Sequence, residues 1–274
     1  MIDTHTHLNF EAFKDDWREV VEKAVEAGVE KMIVVGTDIV SSKRAVEMAE
    51  SHPALYASVG IHPHHVRDIN VISDIKVIEK LAEEKRVVAI GEVGLDYHNY
   101  TITKYPITND PGELTRLKIL QKRLLGMQVE IAKKLNKPLI LHSREAGSDV
   151  LDTIEHFAKI DGIMPEGVFH CFDGNGGYAL KILEAGFYIS FTGNVTFVTD
   201  RMEVAAAVPL DKLLLETDCP YMSPFAKASG NKKPRRCEPI DVAVIASYHA
   251  QQRQIDILEV EKQTTKNAMK LFRL

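Results

Sequence analysis

The sequence predicts an α/β protein folded as a single (β/α)₈ TIM barrel, and three observations support this. The chain has 274 residues, a length at which such barrels commonly form one domain. Short apolar, β-branched runs recur along it, separated by stretches with helical spacing. Ionisable residues follow nearly every apolar run. A doubly wound open sheet is the structural alternative.

Eight apolar runs are predicted to be strands. They lack strict alternation of apolar and polar residues, which suits parallel strands buried on both faces. The first is very short, and the runs cover residues 1–2, 32–35, 55–59, 87–90, 139–141, 168–169, 187–191 and 213–215. Eight strand and helix units with no surplus segment predict one domain over residues 1–274.

Helices are predicted where apolar residues recur at three- and four-residue spacing. Residues 17–25 have this pattern and are followed by Gly28, a residue that commonly ends helices. Residues 117–131 repeat it before Pro138, and residues 181–185 end at Gly186. After the eighth strand, residues 254–274 are predicted to form one extra amphipathic helix outside the barrel.

Composition narrows the functional class. A net charge of −5 and a pI near 6.1 argue against coating nucleic acid through bulk electrostatics. Three cysteines without a Cys-x-x-Cys pair argue against a disulfide framework and favour a reducing cytoplasm. No apolar run approaches the ~20 residues that span a bilayer, and the N-terminus shows no secretory signal. We expect a cytoplasmic protein without an obligatory protein partner.

Histidines and carboxylates follow several predicted strands. In a parallel barrel the carboxyl ends of all strands share one rim, so these residues are expected to converge. The two-residue spacing of His5 and His7 points both imidazoles to one side of a strand. Mixed imidazole and carboxylate groups are ligands for a divalent cation. The candidate ligands are His5, His7, Glu92, His142, His170 and Asp218.

The ordered motifs carry a family resemblance from end to end. They are Asp3-Thr4-His5-Thr6-His7, Gly60-Ile61-His62-Pro63-His64, Gly91-Glu92-Val93-Gly94-Leu95-Asp96-Tyr97, residues 138–144, His170-Cys171-Phe172, Leu215-Glu216-Thr217-Asp218, residues 236–239 and Thr264-Thr265-Lys266-Asn267-Ala268. The chain resembles the TatD family of metal-dependent deoxyribonucleases, within the larger amidohydrolase-like group of metal barrels.

The resemblance implies two divalent cations. Mg²⁺, Mn²⁺ and Zn²⁺ are all candidates for them. His5, His7 and Asp218 would hold one, and His142 and His170 the other. Glu92 would bridge them. An activated water would attack the substrate, and Asp218 would accept its proton. DNA is the substrate that the resemblance implies.

Further residues are candidates for contacting substrate. Arg144 would bind a phosphate, or alternatively pair with Glu145 or Asp149. His62 and His64 follow the third strand and would hydrogen-bond the phosphate or orient Asp218, against a purely structural role. The basic loop after the eighth strand would bind a nucleic-acid backbone, against the alternative of a solvated loop; it contains Lys227, Lys232, Lys233, Arg235 and Arg236.

The chain departs from the family pattern at Asp173, where Ser is usual, and at Cys237, where Asn is usual. An extended loop over residues 98–116 is predicted to overhang the site as a lid or stacking platform, or to be a plain surface excursion. The leading function is therefore a phosphodiesterase of exonuclease type. A hydrolase of amides, esters or lactones, including acyl groups on tRNA or small metabolites, is the alternative. A non-catalytic barrel stabilised by metal is the third hypothesis.

Overall fold

Eight parallel strands form the barrel in the computed structural model, which describes residues 1–67, 69–98, 110–225 and 235–274. The strands pair in chain order, and their bounds are β1 Ile2–Thr6, β2 Lys31–Val35, β3 Leu55–Val59, β4 Val87–Asp96, β5 Leu139–Arg144, β6 Gly167–Phe169, β7 Tyr188–Phe191 and β8 Leu213–Leu215. The prediction of a (β/α)₈ barrel is confirmed.

The barrel closes between its first and last strands, just beyond the end of β8. Thr6 forms a parallel bridge with Cys219. The amide of His7 donates to the carbonyl of Cys219 at 2.8 Å, and the amide of Asp218 donates to the carbonyl of His5 at 2.9 Å. These bonds place the histidines of β1 beside Asp218.

Helices separate the strands, as the helical spacing predicted. Their bounds are α1 Trp17–Glu26, α2 Ile39–Ser51, α3 Val71–Ala82, α4 Pro111–Leu135, α5 Asp149–Asp161, α6 Gly176–Glu184, α7 Thr199–Ala207, α8 Val242–Arg253 and α9 Ile257–Phe272. Side chains fix several starts: Asp38 and Asn175 accept backbone hydrogen bonds at the first turns of α2 and α6. Among the described residues, no helix is both long and apolar enough to cross a membrane.

Two packed cores hold these layers together. The larger one lies between the strands and the surrounding helices. The smaller one joins alternate strand residues such as Ile33, Ile140 and Leu214 to Leu271 and Phe272 of α9. Side chains two residues apart on a strand share a face. The strand residues of this smaller core therefore face the barrel interior, as do the site residues further along the same strands.

Some boundaries differ from the sequence expectation. β1, β4 and β5 extend to Thr6, Asp96 and Arg144, because polar residues facing the barrel interior continue the strands where a composition-based boundary ends them. The expected helix over residues 254–274 is present as α9, but α8 precedes it and was not predicted. Of the loop expected over residues 98–116, residues 111–116 belong to α4, and residues 99–109 lie outside the described part.

Candidate metal centre

All six candidate ligands meet at the carboxyl ends of the strands. His5 and His7 lie on or just after β1, and Glu92 and His142 lie within β4 and β5. His170 directly follows β6, and Asp218 lies three residues beyond the end of β8. Five are at least nine-tenths buried, at 0% exposure for His5 and no more than 8% for the others, and the side chain of His142 is 17% exposed. The expected convergence of these six side chains is therefore what the structure has.

Glu92 stands at the middle of the cluster. Its Oε2 lies 3.6 Å from Nε2 of His5 and 3.7 Å from Nε2 of His7. Its Oε1 lies 3.0 Å from Nδ1 of His142 and 2.8 Å from Nε2 of His170. One carboxylate thus faces two pairs of imidazoles, one pair with each oxygen.

The donor atoms fit divalent cations. His5, His7 and Asp218 form one group whose potential ligand atoms all lie within 4.8 Å of one another, and His5, Glu92 and His170 form a second. Asp218 Oδ1 lies 3.3 Å from Nε2 of His7. Imidazole nitrogens mixed with carboxylate oxygens suit Zn²⁺ or Mn²⁺, and buried charged groups this dense need a compensating partner.

Hydrogen bonds outside the cluster set the orientation of two imidazoles. Nδ1 of His7 lies 3.1 Å from the carbonyl oxygen of Val35, so this nitrogen carries the proton and Nε2 presents its lone pair to the cluster. Nε2 of His142 lies 2.9 Å from Oδ2 of Asp96, which keeps a proton on Nε2, so Nδ1, the nitrogen that faces Glu92, is the one that can exchange its proton for a cation. In both histidines a hydrogen bond thus fixes which nitrogen faces the cluster.

Burial and neighbouring charges move the protonation of these groups in different directions. Burial, with help from His170, lowers the pKa of His5 to about 4, and burial lowers the pKa of His62 to about 3. Burial favours a lower pKa at His142, but its hydrogen bonds to Asp96 and Glu92 raise that pKa to about 10. Burial favours a higher pKa at Glu92, but His170 and His62 hold that pKa well below its ordinary value.

His62 and His64 lie beside the cluster. His62 Nδ1 accepts a hydrogen bond from the amide of His64 at 3.1 Å, so its Nε2 carries the proton and faces Oε1 of Glu92 at 3.4 Å. His64 Nε2 lies 2.8 Å from Oδ2 of Asp96. The carboxylates that His62 and His64 contact are thus those of Glu92 and Asp96. These contacts do not support the alternative in which the two histidines orient Asp218.

The arginines differ in their surroundings. Arg144 ends β5, two residues beyond His142. Arg235 pairs with Asp241 and lies 4.8 Å over the ring of Phe225. Arg236 pairs with Asp16 at 2.6 Å and with Glu238, contacts that brace its loop. Lys227, Lys232 and Lys233 lie outside the described residues.

Three buried carboxylates in or beside the centre were not predicted. Asp96 accepts from His64 and His142, as described above. Glu216 accepts from the amide of Cys171 and, at 2.7 Å, from the hydroxyl of Ser190, and burial raises its pKa to about 7. Asp3 accepts from the hydroxyl of Thr217 at 2.7 Å. Two of these carboxylates could have been found from the two-residue spacing that relates His5 to His7. The same spacing relates Asp3 to His5 and Glu216 to Asp218.

The backbone at this rim is tightly constrained. Asp218 has φ of 53°, an uncommon conformation for a residue with a side chain. Gly94 has φ of 147°, and a Cβ there would lie 1.9 Å from the carbonyl oxygen of His142. Only glycine allows β4 to approach β5 this closely. The separation of Glu92 and His142 depends on that approach.

The chain is similar in sequence and in fold to known proteins. Residues 2–273 match the family described as TatD related DNase. The uncharacterized metal-dependent hydrolase YabD of Bacillus subtilis is 37% identical over 277 residues, covering 100% of this chain and 99% of that protein. A 3′-5′ ssDNA/RNA exonuclease TatD of Edwardsiella piscicida is 32% identical over 280 residues, covering 100% of each. The crystal structure of YJJV, a TatD homologue of Escherichia coli, has a TM-score of 0.84 at 27% identity, covering 100% of this chain and 98% of that one. This chain belongs to the TatD family of metal-dependent hydrolases.

Proposed function

We propose that the protein is a phosphodiesterase that removes nucleotides from nucleic-acid ends, with two divalent cations at the cluster. The convergence of four imidazoles and the carboxylate of Asp218 around Glu92 is the observation that carries the proposal. DNA is the proposed substrate because a relative at 32% identity is a 3′-5′ ssDNA/RNA exonuclease. Mg²⁺, Mn²⁺ and Zn²⁺ are the candidate cations.

The residues divide into two sets of ligands. His5, His7 and Asp218 would hold one cation, and His142 and His170 the other. Glu92 would bridge them. The approach of each Glu92 oxygen to a different pair of imidazoles, at 3.6 and 3.7 Å on one side and 3.0 and 2.8 Å on the other, supports this division.

Cations bound there would polarise phosphoryl oxygens and make water more acidic. The protein's own part is to hold the donors and receive a proton. His7 keeps the pKa of Asp218 low although burial opposes this, so its carboxylate is ionised and available as the acceptor of the proton from the attacking water.

Residues around the cluster would position the phosphate. The protonated Nε2 of His62 can donate to a phosphoryl oxygen, and it already faces the cluster through Glu92. The ring of His64 lies 4.4 Å from that of His62, and Arg144 ends β5, two residues beyond His142, so both are further candidates for contacting the phosphate. Arg235 and Arg236 are the remaining candidates, on the loop after β8. Of these two, Arg235 has the more exposed side chain, at 48% against 26%.

A direct test uses metal-free protein to which Mg²⁺, Mn²⁺ or Zn²⁺ is added. Single- and double-stranded oligonucleotides labelled at either end are followed by gel electrophoresis. We expect stepwise shortening from one end, which Glu92→Ala abolishes. Glu203→Ala, a change to an exposed carboxylate on α7, should cleave like the parent protein. Cleavage that persists in Glu92→Ala would reject the assignment of the activity to this centre.

The same centre also suits acyl chemistry, so the substrate panel includes amides, esters, lactones and acylated tRNA. Turnover of an acyl substrate with none of bis(p-nitrophenyl) phosphate would replace the phosphodiesterase proposal. Metal binding without turnover of any substrate would favour the non-catalytic barrel.

We place the protein in the cytoplasm because its three cysteines are free, as is usual in a reducing compartment.

A further inference from the structure

A cleft of about 730 Å³ lies between the segments that follow β5 and β6, at the barrel rim that carries the candidate ligands. Its wall includes Ser143, the neighbour of His142, and Asp173, three residues beyond His170. Gly177 and Tyr178 of α6 also line it. The volume lies within the ~300–1,000 Å³ typical of small-molecule sites. The cleft therefore has room for one organic group of a substrate bound at this rim.

The charge of the cleft is unlike that of a phosphate site. The carboxylates of Asp173 and Glu145 line it, together with the ammonium of Lys181. Glu145 Oε1 is engaged by Nδ1 of His98 at 2.5 Å. Asp173 Oδ2 lies 3.8 Å from Nη2 of Arg201, beyond hydrogen-bond length, and its side chain is 32% exposed. Asp173 is therefore placed to accept a hydrogen bond from a ligand.

Two features select the kind of ligand. A phosphate in the cleft would be repelled by Asp173, whereas a hydroxyl or amino group would donate to it in a charge-assisted hydrogen bond. Burial raises the pKa of Asp173, so a donor that stabilises its carboxylate would favour the ionised form. Tyr178 adds a ring held in place against Phe169 and Phe172, with centroid distances of 5.9 Å to each. The cleft suits an uncharged group that combines hydrogen-bond donors with a flat ring.

We propose that this cleft receives the nucleoside on one side of the scissile phosphodiester, with Asp173 accepting a hydrogen bond from its sugar hydroxyl or base amine. The inference rests on the proposed phosphodiesterase function. It makes Asp173 a residue that selects substrate, distinct from the ligands that serve the reaction itself.

A steric test compares two neighbouring glycines. A Cβ at Gly177 would meet only Asn175 Oδ1, at 3.4 Å, and a Cβ at Gly176 would meet nothing within 4 Å. Gly177→Leu fills the cleft, while Gly176 does not line it. Hydrolysis of thymidine 5′-(p-nitrophenyl) phosphate is compared with that of bis(p-nitrophenyl) phosphate, which has no nucleoside. We expect the ratio of the two kcat/KM values to fall about tenfold in Gly177→Leu and to be kept in Gly176→Leu.

A chemical test removes the acceptor. Asp173→Ala should raise KM for the thymidine substrate about tenfold, the effect of losing one hydrogen bond to a charged group. Glu203→Ala removes a carboxylate of equal charge from α7 and should leave that KM as it is in the parent protein. An equal rise in both variants would mean that net charge acts, and would overturn the role given to Asp173.

A binding measurement separates this inference from the function on which it rests. Calorimetry with thymidine 5′-monophosphate and with inorganic phosphate should show tighter binding of the nucleotide, and Gly177→Leu should abolish the difference. If the parent protein hydrolyses neither phosphodiester but retains this difference, the proposed function fails and the cleft assignment stands. Efficient hydrolysis with the same substrate ratio in both leucine variants would overturn the cleft assignment alone.

Discussion

The imidazole of His142 has an acidic partner at each ring nitrogen. Glu92 lies 3.0 Å from Nδ1 and Asp96 lies 2.9 Å from Nε2. The second contact decides which nitrogen carries the proton, and therefore which one is free to bind a cation. His64 donates to the same oxygen of Asp96, at 2.8 Å, but does not contact Glu92 through any described hydrogen bond. Mutation of Asp96 and mutation of His64 should therefore affect cation binding differently.

Replacing Asp96 with Asn should weaken cation binding by about 10- to 100-fold. The amide can donate to Nε2 of His142, and the proton then moves to Nδ1, where it blocks the cation. Titration calorimetry of metal-free protein with Mn²⁺ measures the affinity. His64→Ala leaves the contact between Asp96 and His142 in place, so we expect it to raise KM for substrate while cation affinity stays near that of the parent. Equal losses of affinity in both variants would contradict the tautomer argument.

His249 is buried on α8, far along the chain from the ligands, and its Nε2 has no hydrogen-bond partner among the described residues. Burial, with a contribution from Arg253, lowers its pKa to about 3. The folded protein thus keeps this imidazole neutral, whereas the unfolded chain protonates it below about 6.5. Its effect on stability is absent above that pH and grows as the pH falls from there towards 3.

Replacing His249 with Met should therefore make the protein less sensitive to acid. Between pH 7.5 and 5.5 the parent should lose about 1.4 kcal/mol of unfolding free energy through this group. Urea denaturation of parent and variant at both pH values isolates the loss due to His249, because both proteins contain the same histidines at the metal centre. Identical losses in parent and variant would show that His249 does not carry this effect.

At the scale of elements, α9 joins the barrel interior to the outer layer. Leu271 and Phe272 are 1% and 2% exposed and pack with strand residues such as Ile140 and Leu214. These strand residues lie two positions before His142 and Glu216, so the helix supports the same strands that carry the centre. We expect damage to its packing to lower stability first, with the site chemistry following only through unfolding.

Phe272→Ala should lower the unfolding free energy by about 3–5 kcal/mol, the usual effect of removing a large buried side chain. Met269→Ala lies on the same helix at 43% exposure and should change it by less than about 0.5 kcal/mol. Thermal and urea denaturation measure both. A small effect of Phe272→Ala would mean that the smaller core contributes little.

The sequence predicted the order and type of most elements because apolar runs and helical spacing report burial directly. It placed strand ends too early at β1, β4 and β5, since polar residues that face a barrel interior resemble the start of a loop. It missed α8, where apolar and polar residues such as Val242 and His249 are buried together and no amphipathic stripe forms. It identified the six side chains that converge, but not Asp96, which no spacing relates to them, nor Glu216, whose two-residue spacing from Asp218 was not used.

At the scale of the molecule, the centre concentrates buried charge in an otherwise well-packed barrel. Removing bound cations should therefore lower stability while the fold is kept. Ligand linkage gives a loss of about 2.7 kcal/mol when the free cation had stood at 100 times its Kd. Thermal denaturation with and without a chelator measures the loss, and circular dichroism checks the secondary structure. Glu92→Gln, which weakens cation binding, should respond much less to the chelator.

The junction of β1 with the segment after β8 has a consequence for biosynthesis. Asp3 and Thr217 meet although they are 214 residues apart in the chain, and their neighbours His5 and Asp218 complete the centre. On the ribosome, the first histidines emerge long before their carboxylate partner, and contacts of such long range form late. A polypeptide still under synthesis, or one cut short by a premature stop codon, thus lacks the complete set of candidate ligands until translation has passed β8.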